Sequence, residues 1–295
     1  MFVVVALAFA AMEDWERPGK IQPLDVPHHT TLRHRNFLNQ MAARHQAICP
    51  RLQLAHRQFG AVTIMTVNSG QLPLLKNFFL ACRARSIPCM KMVFVFALDR
   101  LAATYFEGHG VAHYHYEGAE HPTAAKVFSD QYFAAVVFYK NAVVYDALSC
   151  GVNVLFQDVD LVWRRDPIPS LAAYDVDMCF MNDGNSKHQQ PIYINSGFFL
   201  VRYNERTLAL WREAFEVFDR QNNQQMLLKQ LVVHHYFNNN LTLFVLPPVY
   251  QNGNAWSPTD TSRVNEEWIV THASWAYNMT VKIRKLKAIG EWYVP

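Results

Sequence analysis

The sequence predicts one large α/β domain, a mixed and mostly parallel sheet with helices on both faces. Three observations predict it. From residue 61 to residue 246, short apolar runs of strand length alternate with runs of helix length, as in strands joined by crossover helices. Of 295 residues, 51% are hydrophobic and only 17% are charged, which leaves ample material for a core. One apolar strand, residues 152–156, runs straight into two carboxylates, Asp158 and Asp160, at the strand end where open α/β sheets bind ligands. No Gly-x-Gly-x-x-Gly follows the first strand and no P-loop is present, which disfavours nicotinamide-binding and P-loop nucleotide folds.

Residues 2–12 are apolar, shorter than the about 20 residues of a spanning helix. No basic segment precedes them, and Glu13 and Asp14 follow. They read as the remains of a targeting segment, the one expected route to a membrane. Residues 13–58 show no strand pattern, and 32–48 read as a helix. Residues 1–58 are therefore expected to be a lead-in and 59–295 the functional domain. Within that domain, 61–67 read as a strand ending at Asn68-Ser69-Gly70, and 72–85 as a helix. The run 92–97 is a second strand ending before Asp99. An amphipathic helix over 130–148 is closed by Gly151, and the Asp158 strand follows. Strands are expected at 178–181 and 198–202, helices at 207–218 and 224–237, a late strand at 243–246, and a strand end at 268–271. Trp163 and Trp211 are expected in the core, where large aromatics usually lie.

Residues two apart in an extended chain project to the same side, so Asp158 and Asp160 can share one cation. Carboxylate oxygens select a hard divalent ion, Mg²⁺ or Mn²⁺, and such an ion commonly carries a phosphate-bearing ligand. The alternative is an acidic strand end facing solvent. His109, His113, His115 and His121 look metal-like by spacing, but a surface role is the expectation for them. The net charge of +3 comes without a basic stripe, which excludes a nucleic-acid surface. Cys49, Cys82, Cys89, Cys150 and Cys179 form no Cys-x-x-Cys pair, so zinc is disfavoured. Their odd number leaves at least one free thiol, and buried structural cysteine is the plain reading. Asn240-Leu-Thr and Asn278-Met-Thr match the glycosylation acceptor pattern of a secretory protein.

From residue 61 to the end, the order of motifs resembles the nucleotide-diphospho-sugar transferase family, which includes the plant rhamnogalacturonan xylosyltransferases and extensin arabinosyltransferase-like enzymes. The matching residues are Lys140, residues 151–163, Asp166-Pro167, Asn182-Asp183, Asn195-Ser196-Gly197, Gln224-Gln225, Leu246-Pro247, Asn252-Gly253, His272 and Lys282. The resemblance implies a GT-A fold, a nucleotide-sugar donor such as a UDP-sugar, a divalent metal and retention of anomeric configuration. It adds His272 as a metal ligand beside Asp160, with Asp158 touching the metal, the ribose or both. It implies Lys140 and Lys282 on the diphosphate, Asn195, Ser196 and Gly197 against the sugar, and Gln225 facing the anomeric carbon. Asp183, at a strand end, is expected to bond sugar hydroxyls. Asn68 and Asp99 follow strands and are expected either to contact base or ribose or to form turns. Two departures stand out: Gln224-Gln225 replaces an Asp-Gln pair, and Asn278 replaces a glycine six residues after the histidine.

The function expected is sugar transfer to a glycan or glycoprotein in the Golgi or elsewhere in the secretory pathway. An amide at 224 is no nucleophile, so a front-face reaction fits better than double displacement through that position. The competing readings are a metal-dependent nucleotidyl or phosphoryl transferase, whose Gly-rich loop is missing, and an inactive carbohydrate-binding relative, which would lose the metal ligands.

Overall fold

The computed structural model describes residues 32–116, 133–184, 193–217 and 224–295. The apolar run 2–12, the start of the helix expected from 130, Phe218 and His121 lie outside them. The chain opens with α1 (Leu32–Asn39) and α2 (Met41–Phe59), then β1 (Val62–Val67), α3 (Leu72–Ala84), the short α4 (Cys89–Met92) and β2 (Val93–Ala97). It continues with α5 (Arg100–His109), β3 (His113–His115), α6 (Phe133–Ser149), β4 (Val154–Gln157), β5 (Leu161–Trp163) and α7 (Ile168–Ala172). The second half holds β6 (Met178–Asn182), β7 (Ile194–Val201), α8 (Glu205–Val217), α9 (Gln224–Asn238), β8 (Leu243–Val245), β9 (Tyr250–Gln251), β10 (Val270–His272) and α10 (Met279–Ala288).

Seven strands form the main sheet in the order β3-β2-β1-β4-β7-β6-β8. Only β7 runs against its neighbours β4 and β6; the other pairs are parallel. A small sheet, β5-β10-β9, lies beside it. Side chains alternate along each strand, so each face of the sheet has its own core. Val62, Ile64, Val154 and Phe156 pack with α1, α2, α6, α8 and α9. Met65, Val67, Leu155 and Phe198 pack with α3, α5, α7, α10 and the small sheet. Both faces are covered, which is why the strands are apolar throughout. Trp163 and Trp211 are fully buried, as expected.

Several elements differ from the sequence reading. The helix expected over 32–48 is two helices, and the second runs on through Pro50. A proline in a helix interior forgoes one backbone bond, but here Ile48 and Leu52 are fully buried on the same helix. Arg44 of α2 is buried against Asp146 of α6, which also takes the Tyr116 hydroxyl at 2.9 Å. Cys49 is bonded to Cys150 across the same contact. Residues 41–59 thus belong to the core of the main sheet. Cys82 pairs with Cys89, so four of the five cysteines are cross-linked rather than free. Cys179 is the free thiol, and burial pushes it up to about 12. α5 and β3 were not assigned from sequence. Asp99 caps α5, its Oδ1 accepting from the Ala102 amide at 2.8 Å.

Candidate active site

The site lies at the carboxyl ends of β4 and β10. β4 ends at Gln157, whose side chain accepts from the Trp163 indole at 2.7 Å. The chain then passes Asp158 and Asp160 and returns as β5. β10 pairs antiparallel with β5, His272 opposite Leu161, which sets the imidazole beside both carboxylates. One ligand atom from each of Asp158, Asp160 and His272 lies within 4.8 Å of the others. His272 Nε2 is 3.2 Å from Asp160 Oδ1 and 3.9 Å from Asp158 Oδ2. Two ammonium groups flank the triangle: Lys140 Nζ of α6 is 2.6 Å from Asp158 Oδ1, and Lys282 Nζ of α10 is 2.7 Å from Asp160 Oδ2.

Asp160 and His272 are buried, while Asp158 is part-exposed. Burial alone would raise the Asp160 pKa; the nearby Lys282 ammonium and His272 outweigh it and hold the carboxyl well below the usual carboxylate range. Burial pulls Lys282 down, and Asp160 more than restores it. Neither Asp160 oxygen receives a well-directed hydrogen bond despite the close ion pairs. A buried carboxylate without aligned donors is costly unless something else takes its lone pairs.

Gly197 backs the carboxylate–imidazole triangle. The pairing of β6 with β7 slips between Phe180 and Met181, so that Phe180 faces Phe199 but Met181 faces Asn195. The extra β7 residues bulge towards the ligand end, and the Gly197 carbonyl accepts from the Asp158 amide at 2.8 Å. A Cβ on Gly197 would sit 2.4 Å from His272 Cε1 and 2.7 Å from Asp158 Oδ2. Asn195-Ser196-Gly197 therefore lies inside a strand rather than opening one at 198, as the apolar run suggested; its polar residues hid the strand's true start.

Asp183, just past β6, is the hub of a second network. Its Oδ1 accepts from Asn195 Nδ2 at 2.5 Å and from Trp275 Nε1 at 3.3 Å. Its Oδ2 accepts from Gln225 Nε2 at 2.9 Å. The Gln225 Oε1 in turn accepts from the Ser196 amide at 3.1 Å and its hydroxyl at 3.3 Å. Asn195 Oδ1 takes the Gly197 amide at 2.8 Å, which joins this network to the carboxylate–imidazole triangle. Asn68 and Asp99 act as turn and cap formers at the ends of β1 and β2: the Asn68 amide donates to Gln71 Oε1 at 3.1 Å, and Asp99 Oδ2 accepts from the Ser69 amide at 2.7 Å. Asn278 is the N-cap of α10, its side chain accepting from the Val281 amide at 3.0 Å with an extended backbone; no glycine is needed there. His109 and His113 bond carbonyls of their own segment, and they form no metal cluster among the described residues.

Sequence reasoning missed Trp275, Ser274, Asn254 and Lys285. Lys285 Nζ is buried and donates to the carbonyls of Gly253 and Trp256, both at 2.7 Å. Asn252 Nδ2 donates to the Asn182 carbonyl and Asn254 Nδ2 to that of Asp183 at 3.4 Å. The Asn252-Gly253 pair was the only sequence signal for this loop.

Residues 88–286 match the nucleotide-diphospho-sugar transferase family. The chain belongs to that family. Its mixed, mostly parallel sheet is the GT-A type of fold that the resemblance implied. A UDP-galactose:fucoside alpha-3-galactosyltransferase of Dictyostelium discoideum is 34% identical over 94 residues, 30% of this chain and 14% of that protein. The beta-arabinofuranosyltransferase RAY1 of Arabidopsis thaliana is 31% identical over 86 residues, 28% of this chain and 16% of that protein. The matches thus span well under a fifth of either relative's length. Among solved structures, the galactosyltransferase LgtC in complex with donor and acceptor sugar analogs aligns at a TM-score of 0.43 with 14% identity, over 79% of this chain and 97% of that one.

Proposed function

We propose that this protein is a divalent-metal-dependent, retaining glycosyltransferase that moves a sugar from a UDP-sugar to a glycan or glycoprotein acceptor. The observation that carries the reading is the triangle of Asp158, Asp160 and His272 flanked by Lys140 and Lys282. The donor set fits Mn²⁺ or Mg²⁺: two carboxylates, of which Asp160 has both oxygens without aligned donors, and one imidazole, packed over a Gly197 that leaves no room for a side chain. Asp158, Asp160 and His272 would hold the ion, which when bound would offset charge building on the departing diphosphate.

The remaining steps belong to the chain. Lys140 and Lys282 exchange their carboxylate contacts for diphosphate oxygens and act as point charges. Gln225 is held by Asp183 and Ser196, so its amide has one orientation, and it positions the sugar ring rather than attacking it. Asp183 already takes three hydrogen bonds from the protein, which weakens it as a nucleophile. With no carboxylate at 224 or 225, the acceptor hydroxyl approaches from the side the diphosphate leaves, and a phosphate oxygen takes its proton. Two disulfides support an oxidising, secretory compartment such as the Golgi lumen.

Calorimetry with UDP, with and without Mn²⁺, tests this. Binding should require the ion and should be lost in Asp160→Ala. Equal affinity in chelator, or normal binding by that variant, would overturn the assignment.

A further inference from the structure

We infer that Trp275 is a stacking platform for the apolar face of a sugar ring, held in place by Asp183. The inference rests on the proposed glycosyltransferase reading and adds a subsite to it. Trp275 lies three residues past His272 and is 48% exposed. Among the described residues Trp163, Trp211, Trp256 and Trp268 are buried and Trp292 is part-buried, so Trp275 is the one exposed indole. Its backbone has φ of 55°, in the left-handed region. A bulky side chain seldom adopts that conformation, and it persists only where the surroundings enforce it.

The surroundings do so here. The indole Nε1 donates to Asp183 Oδ1, and Asp183 is itself buried and fixed by Asn195 and Gln225. On the preceding residue, Ser274 Oγ accepts from the Gly253 amide at 2.9 Å, and Lys285 anchors the Gly253 carbonyl. The polar edge of the ring is thus turned inward and tied down, while much of its surface stays open to solvent. Asp183, with both oxygens engaged by protein donors, holds the platform rather than serving as a sugar's main partner. The same network reaches Gly197 and the metal-ligand triangle through Asn195. A ring next to a diphosphate bound at that triangle would come within reach of the indole. Sugar rings present a patch of C–H groups that stacks on an aromatic face, and tryptophan offers the largest such face.

The ring can belong to the donor or to the acceptor, and the experiment separates them. Trp275→Ala and Trp275→Phe are compared with the wild type. UDP affinity in Mn²⁺ is measured first by calorimetry; both variants should match the wild type, since the diphosphate site is untouched. Titrations with UDP-glucose, UDP-galactose and UDP-xylose then read the donor ring. Titrations with methyl galactoside, xyloside and arabinofuranoside, with and without UDP, read the acceptor ring. Binding is followed by calorimetry in all three proteins, since neither variant keeps the Trp275 emission. In one of the two series, Trp275→Ala should lose about tenfold in affinity and Trp275→Phe should recover part of it, because a phenyl ring still stacks. The inference is overturned if Trp275→Ala binds every sugar as the wild type does, or if Trp275→Phe loses as much as Trp275→Ala, which would leave only the indole hydrogen bond. Absence of UDP binding by the wild type would instead overturn the glycosyltransferase reading, and the glycoside titrations without nucleotide would still decide Trp275.

Discussion

Gly197→Ala is the smallest change that tests the geometry of the site. The added Cβ would meet His272 Cε1 at 2.4 Å, Asp158 Oδ2 at 2.7 Å and Asn195 Oδ1 at 3.0 Å. Carbon atoms in contact rest at about 3.5–4.0 Å, so the imidazole must retreat by about 1 Å. The ring is buried at the end of β10 and Asp158 is tied to β7 through its amide, so neither yields freely. Metal–ligand distances tolerate only about 0.2 Å. Displacing two ligands at once should therefore lower Mn²⁺-dependent UDP affinity by about 10–100-fold, the range seen when metal ligands lose their support. The fold should survive. Gly197 is not in a left-handed conformation, and overpacking one methyl costs about 1–3 kcal/mol. Calorimetry in Mn²⁺ reads the affinity and a thermal melt reads the fold. Gly108→Ala on α5 is the control, since a Cβ there meets nothing within 4 Å. If Gly197→Ala binds UDP and Mn²⁺ like the wild type, His272 and Asp158 do not share an ion.

Gln225→Ala should lower kcat by about tenfold to a hundredfold while UDP affinity stays within about twofold, because a contact that matters in the transition state appears in turnover; unchanged turnover would reduce α9 to a packing element. Proton NMR of the first-formed product should show the donor's anomeric configuration retained, and an inverted linkage would refute the front-face reaction. Lys285 gives a pH signature of stability. Burial lowers it to about 8 in the folded protein, against 10.5 for an unburied lysine. Below about 8 both folded and unfolded chains hold the proton; from there to 10.5 the unfolded chain binds more, so this residue makes stability rise with pH across that window. The melting temperature of the wild type relative to Lys285→Met should climb between pH 8 and 10, and a flat difference would refute the account.

The strand into Asp158 and Asp160 was legible because a strand apolar on both sides has few other uses, and its two carboxylates are neighbours on one chain. The alternation of strands and helices carried the sheet and its covered faces for the same reason: periodicity and local propensity are written residue by residue. The family resemblance singled out His272, Lys140 and Lys282, which stand 112, 20 and 122 residues from Asp160 in the chain but meet within hydrogen-bonding range of the carboxylates. What brings them together is the antiparallel pairing of β10 with β5 and the seating of α6 and α10, contacts between distant segments that no local pattern encodes. The same holds for Asn195 to Gly197. Three small polar residues look like a turn in isolation; Asn195 pairing with Met181 of β6 and the Asp158 amide on the Gly197 carbonyl hold them in the strand. Pro50 looks like a helix end until Ile48, Leu52 and the Cys49–Cys150 bond supply packing that outweighs one missing hydrogen bond. Trp275 had no signal at all, because its role depends on a carboxylate 92 residues away. Sequence determined the chemistry available and the layers of the fold; tertiary structure decided which groups face one another, because burial and pairing act between residues the chain keeps far apart.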